Sequence, residues 1–443
     1  MIQMKPYLYK YLNAAGDEDA TVRTATPNTQ MRLLDILPRA KGTDIQCELR
    51  HVKLTDKTQY EALSYTWGSP DRVHRIQCGN AFLSVTNTLR EALQTLRNPS
   101  KTRTMWIDQL CIHQDDTKER HEQVKIMHLI YRHAVRTVIF LEPERDGQPV
   151  NMPELGGRKI IPDIGGWRGY YHLWKNRKND NDTLIEYRRL FSHPWFQRVW
   201  ILQEVSMSSL KKIVIYYRGS VQTWSSLTQA ATYVDSFPPG LRLDLIQMPP
   251  SPRRHAMILS KWTVMGPTTS PFSNISRYGK ASKYDERLHA RWLWDKDLAE
   301  RLQDSRYCQA TDPRDKVFSL LNLLDTIEQK YAWLLTVDYS LPISLVYLRA
   351  ARYCIETSHS LEVMCYKEGP AQIDGLTSWA PDWTRQRLFP IHRISMTHHY
   401  KSQFHSDAPV STYSLLGSEA PQHRNNRLLQ RGWQRSYCNR LQA

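Results

Sequence analysis

Two carboxylates stand where an α/β protein usually does its chemistry. Asp108 closes the apolar run Thr104-Met105-Trp106-Ile107, a strand signal, so its side chain falls at the carboxyl end of a strand. There it either binds the hydroxyls of a ribose or caps the turn that follows. Glu204 follows Trp200 within a helical pattern. If buried against the indole its pKa rises, and a carboxylate in that position can stabilise a developing ribosyl cation as carboxylates do at glycosidic bonds. If exposed, it pairs with a basic neighbour. Ser64, Tyr65, Trp67 and Gly68 form a strand end and a turn. The Trp67 indole there is either a platform for a flat ring or a core side chain, with Gly68 supplying the turn conformation.

Other constellations carry less. Cys111 and His113 are too close in sequence to face each other as nucleophile and base, and no third group orients them. His121, His128 and His133 lack the i, i+4 spacing that brings two imidazoles onto one metal, so no metal site is expected. The Walker P-loop, the G-x-G-x-x-G dinucleotide fingerprint and the G-x-S-x-G elbow do not occur. Arg314 and Asp315 read as residues that tie a helix to its surroundings.

The elements that must position these residues follow from hydrophobic period and turn chemistry. Residues 31–37 and 45–49 read as strands, 61–68 as a strand ending at Gly68, and 76–78 with 81–85 as a hairpin about Gly79-Asn80. Thr86 or Asn87 caps a helix carrying Leu89, Ala92, Leu93 and Leu96. Asp116 to Glu119 opens a second helix with Val124, Met127 and Tyr131 on one face, and residues 137–141 return as a buried strand. Pro194 is expected to open a helix running to Met207, and residues 212–217 to form the last strand. Strands alternating with helices imply βαβ units and a parallel sheet, whose carboxyl edge is the usual ligand site. Farther on, helices are expected over 291–307, over 312–324 with Asp312 as cap and Pro313 in the first turn, and over 346–355.

The domain plan is therefore a polar leader (1–30), an α/β domain (31–217), a Pro/Ser-rich linker or insertion (218–290), a helical module (291–392) and a polar tail (393–443). The chain has 443 residues and a net charge of +16. Its basic residues are dispersed, so nucleic-acid binding is not expected beyond a non-specific phosphate attraction. Seven scattered cysteines without a C-x-x-C pair point to reduced thiols rather than a disulfide scaffold. No apolar run reaches the roughly 18 residues of a membrane span, and there is no apolar h-region at the start. The expectation is a soluble cytoplasmic protein.

Three blocks together resemble the heterokaryon-incompatibility (HET) domain of filamentous fungi: Tyr60 to Gly68, Trp106 to Gln114 with Glu119-Arg120, and Arg198 to Glu204. Thr311 to Phe318, Asp338-Tyr339-Ser340 and Ser378 to Trp383 extend the similarity. The resemblance implies a Toll/interleukin-receptor (TIR)-like, flavodoxin-type parallel sheet and a role in non-self recognition and programmed cell death. Because some TIR relatives hydrolyse NAD, it also implies NAD as a substrate, with no cofactor required. Glu204 and Asp108 would then be catalytic, and Ser64, Tyr65, Trp67 and Gly68 would contact the nucleotide. The alternatives are a non-catalytic module that signals by self-association and, resting on the net charge of +16 alone, a basic nucleic-acid-binding regulator. A homo-oligomer and an unidentified incompatibility partner are the expected partners.

Overall fold

The computed structural model describes residues 4–12, 29–40, 42–143, 186–187, 189–227, 230, 297–324 and 327–385. The Gly/Pro-rich stretch 145–182, residues 231–290 of the expected linker, and the tail 393–443 lie outside the described residues. The first part of the chain runs through β1 (Lys5–Pro6), β2 (Gln30–Ile36), β3 (Gln46–Lys53), β4 (Glu61–Tyr65), β5 (His74–Cys78), β6 (Ala81–Val85), α1 (Asn87–Leu96), β7 (Arg103–Trp106), α2 (Asp108–Cys111), α3 (Thr117–His133) and β8 (Arg136–Glu142). It continues with α4 (Ile201–Ser206), β9 (Ile213–Tyr217) and β10 (Ser220–Thr223), then α5 (Leu298–Asp304), α6 (Asp315–Leu321) and α7 (Ile343–Ser358).

Among the described residues, ten strands join one sheet in the order β1-β6-β5-β3-β2-β7-β4-β8-β9-β10. Its heart, β7-β4-β8-β9, is parallel, which gives the expected α/β class. Antiparallel pairs β2–β7, β2–β3 and β5–β6 widen it on one side, and β9–β10 closes the other. Within the heart β4 lies between β7 and β8, both later in the chain. Such a break in strand order opens a crevice at the carboxyl ends.

Local signals set these elements. The side chain of Thr86 accepts from Leu89 N to cap α1, and Asp116 accepts from Glu119 N to cap α3. Alternation along β8 divides its side chains between two apolar layers. Val138 and Phe140 meet the layer of α1, α2 and α3, while Ile139 and Leu141 meet the layer containing Trp195, Leu202 and the later helices. A strand segment buried on both faces must be apolar at successive positions, as β8 is from Val138 to Leu141. The helices after residue 297 thus cover the second face of the sheet, within the unit Met1–Arg387.

Several elements depart from the sequence reading. The strand before Asp108 ends at Trp106, and Asp108 begins the one-turn α2. The single helix expected from Pro194 to Met207 is broken into a 3-10 turn at Pro194–Gln197 and α4. Its backbone is diverted at the break: Arg198 bridges to Gln309 and Val199 N donates to Gln309 O at 2.9 Å. β9 is followed by one more strand, because Arg218 (φ 47) and Gly219 (φ 82) turn the chain back into β10. Asp312 caps a tight turn by accepting from Arg314 N at 3.0 Å, and the helix proper begins only at Asp315. Lys5–Pro6, within the polar leader, adds an edge strand beside β6.

Gly68 holds φ +69, and a Cβ there would stand 2.5 Å from Thr88 Oγ1. Gly68→Ala is therefore expected to cost roughly 1–3 kcal/mol from the left-handed backbone and the displaced threonine, read as a fall in melting temperature. A wild-type Tm would mean that the turn adopts another conformation.

Candidate functional site

Residues from all three motif blocks meet at the carboxyl ends of β4 and β7. Ser64, near the end of β4, donates its Oγ–H to Glu204 Oε2, and it accepts the indole N–H of Trp195 at 2.7 Å. Arg198 reaches in from the break before α4. One of its nitrogens donates to Tyr65 O at 2.6 Å, and another stands 3.4 Å from Glu204 Oε1. On the outer side Asp108 Oδ2 accepts the indole N–H of Trp67 at 2.9 Å, and its Oδ1 accepts from Gln109 N at 2.7 Å. Gln114 Nε2 donates to the Asp108 carbonyl at 2.8 Å, fixing the loop.

Electrostatically this is one cluster. Burial raises the pKa of Glu204, with Arg198 and Ser64 opposing and Asp108 adding to the rise. Burial likewise raises Asp108, against the Arg198 charge and the Trp67 hydrogen bond. For Arg198 burial works to lower the pKa, but the carboxylates of Glu204 and Asp108 outweigh it and hold the guanidinium charged. Tyr65, fully buried, is pushed well above its usual value, first by burial and then by the Asp108 charge.

The depth of each group differs. Glu204 is only 2% exposed and Arg198 is 23% exposed, while Asp108 and Trp67 are half-buried at the rim and Gly68 is exposed in the turn. Ser64 and Glu204 therefore lie deepest in the cluster, and Trp67 and Asp108 nearest the surface. The structure brings together Ser64, Tyr65, Trp67, Asp108 and Glu204, and leaves Gly68 outside as the turn that ends this edge. Sequence reading did not single out Arg198 and Trp195. The available signal was a lone basic residue in the otherwise apolar block Val199-Trp200-Ile201-Leu202, where a cation needs a nearby carboxylate.

The later helices grip the segment that carries Arg198 and Glu204. Besides the Gln309 bridge, Asn322 Nδ2 lies 3.4 Å from Gln203 Oε1. Asp315 accepts from Tyr339 Oη at 2.6 Å and is also stabilised by Trp200. Tyr339 in turn stacks on His121 of α3, whose Nε2 accepts from Tyr339 N at 3.0 Å. Burial raises Asp315 from 3.8 to about 6, despite the Tyr339 and Trp200 donors. A carboxyl raised in the folded state binds its proton more readily there, so its contribution to stability is full below about pH 4 and is lost as pH rises through 6. Asp315→Asn, which keeps the neutral shape, should therefore gain on wild type between pH 5 and pH 8, by about half of the roughly 3 kcal/mol that the full shift represents. Thermal melts of both proteins at the two pH values check this. A constant difference would show that Asp315 does not titrate in that window.

One further group has metal-ligating atoms close together: His113, Asp116 and Glu119, within 4.8 Å of one another. The donor set does not fit a cation. Both Glu119 oxygens hold the Arg32 guanidinium, at 2.5 and 2.8 Å, and Asp116 Oδ1 caps α3. The positive charge of this cluster is already supplied by Arg32.

Among the described residues no helix is long and apolar enough to cross a membrane. Comparison with protein families matches residues 60–204 to the family described as heterokaryon incompatibility protein (HET). The chain is also 25% identical, over 461 aligned residues, to heterokaryon incompatibility protein 6, OR allele, of Neurospora crassa. That alignment covers 90% of this chain and 63% of the relative, so the chain spans less than two thirds of the relative's length. No solved structure matches. The matched span begins at Tyr60, just ahead of β4, and ends on Glu204, so the similarity to the heterokaryon-incompatibility (HET) family encloses every member of the carboxyl-edge cluster.

Proposed function

We infer that this protein acts in fungal heterokaryon incompatibility, as a cytoplasmic effector of non-self recognition and programmed cell death. Its HET domain works through the carboxyl-edge cluster, by cleavage of the nicotinamide–ribose bond of NAD. The observation that supports this reading is the convergence of Ser64, Asp108, Arg198 and Glu204 at the end of a parallel strand flanked by two later ones, the place where α/β folds hold nucleotides.

Each residue has a role in that chemistry. Asp108, nearer the surface, accepts ribose hydroxyls. Trp67, half-buried and with its N–H engaged by Asp108, offers the exposed part of its ring for stacking, while Tyr65 is buried and Gly68 forms the exposed turn that follows. Glu204 stabilises the cationic ribosyl centre as nicotinamide departs. In the structure Glu204 is held at depth by Ser64 and Arg198, so this geometry is the resting form, and turnover requires that hold to loosen.

That sealing supports a second reading, in which the HET domain is a self-associating module and the cluster only stabilises its edge. Incubating purified protein with NAD, both dilute and after assembly, and following nicotinamide release separates the two. Turnover in either state supports the enzyme. Inactivity in both states, with death activity retained in a fungal host, supports the association module.

A further inference from the structure

The sheet has a short seam between β3 and β5. These strands pair in parallel over Gln46↔Gln77 and Cys47↔Cys78 alone, whereas β2 and β3 are paired from Gln30↔Lys53 to Ile36↔Cys47. Within the sheet, β5, β6 and β1 attach to the rest across this seam. Gln46 Nε2 donates to Gln77 Oε1 at 2.7 Å across it. One residue further along, two buried thiols stand in register on neighbouring strands.

The geometry suits a covalent link. Neighbouring strands lie about 4.8 Å apart, inside the roughly 4.4–6.8 Å that separates the Cα atoms of bridged cysteines, and in-register parallel partners project from the same face. We propose that Cys47 and Cys78 are a dithiol modification site that closes into a reversible disulfide across the β3–β5 seam.

The two sulfurs are unequal, as such a reaction needs. Cys47 Sγ sits 3.3 Å from the Gln77 carbonyl, and its S–H is also placed to stabilise a thiolate at Cys78, which makes Cys78 the more acidic of the pair. The hydrogen bond with Cys78, and then burial, raise Cys47. Cys78 directly precedes the exposed Gly79-Asn80 turn, and the half-buried Tyr7 borders both thiols.

With hydrogen peroxide as oxidant the step balances. The Cys78 thiolate attacks one peroxide oxygen, the O–O bond breaks, and a sulfenic acid forms as the first water leaves. Cys47 sulfur then displaces the second water, and its proton goes to the departing hydroxyl. Two thiols and one peroxide give one disulfide and two waters. A thiol reductant reverses the change.

The link would staple β5 and β6 to β3, replacing a two-pair seam with a covalent one. The test treats the folded full-length protein with hydrogen peroxide, blocks remaining thiols with an alkylating agent after denaturation, and maps peptides without reduction. Expected is a Cys47–Cys78 linked peptide as the dominant disulfide, with two of the seven thiols lost and regained on adding dithiothreitol. Amide exchange in residues 74–85 should slow in the oxidised form. Cys78→Ser should abolish the linked species, and if that variant does not fold, the wild-type map alone decides. Full alkylation of Cys47 and Cys78 while the exposed Cys365 is oxidised, or linkage of Cys47 to Cys111 instead, overturns the proposal.

Discussion

Glu204→Gln is expected to slow NAD cleavage by about 10²-fold or more, the order lost when a positioned charged group is removed from a reacting centre. The change keeps the side chain's shape and its contact with Ser64, and removes the charge that faces Arg198 and would face a ribosyl cation. Arg198 then retains the Tyr65 carbonyl and the nearby Asp108 charge. Being 23% exposed, it can also recruit water, so the protein should fold with a somewhat lower Tm. Nicotinamide release, the Tm and the death phenotype in a fungal host are measured on the same variant. A folded Glu204→Gln protein that kills at wild-type strength eliminates the catalytic role of this carboxylate and leaves the self-association reading. Loss of killing together with loss of nicotinamide release, the fold being intact, ties the two activities to one residue.

The split between what was and was not legible in the sequence follows the range of the interactions involved. The hairpin at Gly79-Asn80, the Thr86 cap and the Asp116 cap are local devices, written within four residues, and all appear where their residue types place them. The parallel heart was legible because β8 is apolar at successive positions, which only a strand covered on both faces tolerates. The break at Arg198 was not legible, because its cause, Gln309, lies more than a hundred residues away. The same holds for the site. Asp108 and Glu204 are conspicuous as acids beside tryptophans, but their connection runs through Arg198, whose meaning depends on a fold that brings β4, β7 and α4 to one edge.

The later helices illustrate a further limit. A Pro/Ser-rich stretch separates them from the α/β part in sequence, which reads as a boundary, yet Leu298, Leu302, Phe318 and Tyr347 share an apolar layer with Ile139, Ile213 and Ile215 of the sheet. A face of β8 that is apolar must be covered by something, and the sequence does not say by which segment. With Gln309, Asn322 and Asp315 on the segment 198–203, that cover also sets the position of the Glu204 helix. Changes in the later helices should therefore reach the carboxyl-edge cluster through packing.

The largest stability effect is expected away from that cluster, at Glu119. Arg32, in β2, is completely buried. Its guanidinium donates to both Glu119 oxygens and to the carbonyls of Cys111 at 3.2 Å and Lys10 at 2.5 Å, and it lies over the Tyr9 ring. Glu119 Oε1 also accepts from His113 N at 2.7 Å. One ion pair thus fastens the start of α3 and the loop after α2 to the sheet, and holds the N-terminal segment against both. Whether the intact pair adds net stability is a separate matter, since desolvation offsets much of the attraction. Removing one partner is different, because an arginine cannot lose its proton and is left charged without a counter-ion. Glu119→Ala should therefore destabilise by about 3–5 kcal/mol, through loss of the carboxylate and of the His113 contact together. Replacing both partners, Arg32→Met with Glu119→Leu, should recover most of that loss, since no unpaired charge remains. Chemical denaturation of the single and double variants measures both. If Glu119→Ala unfolds at the wild-type midpoint, Arg32 has found another partner or water, and the buried pair does not hold this corner of the fold.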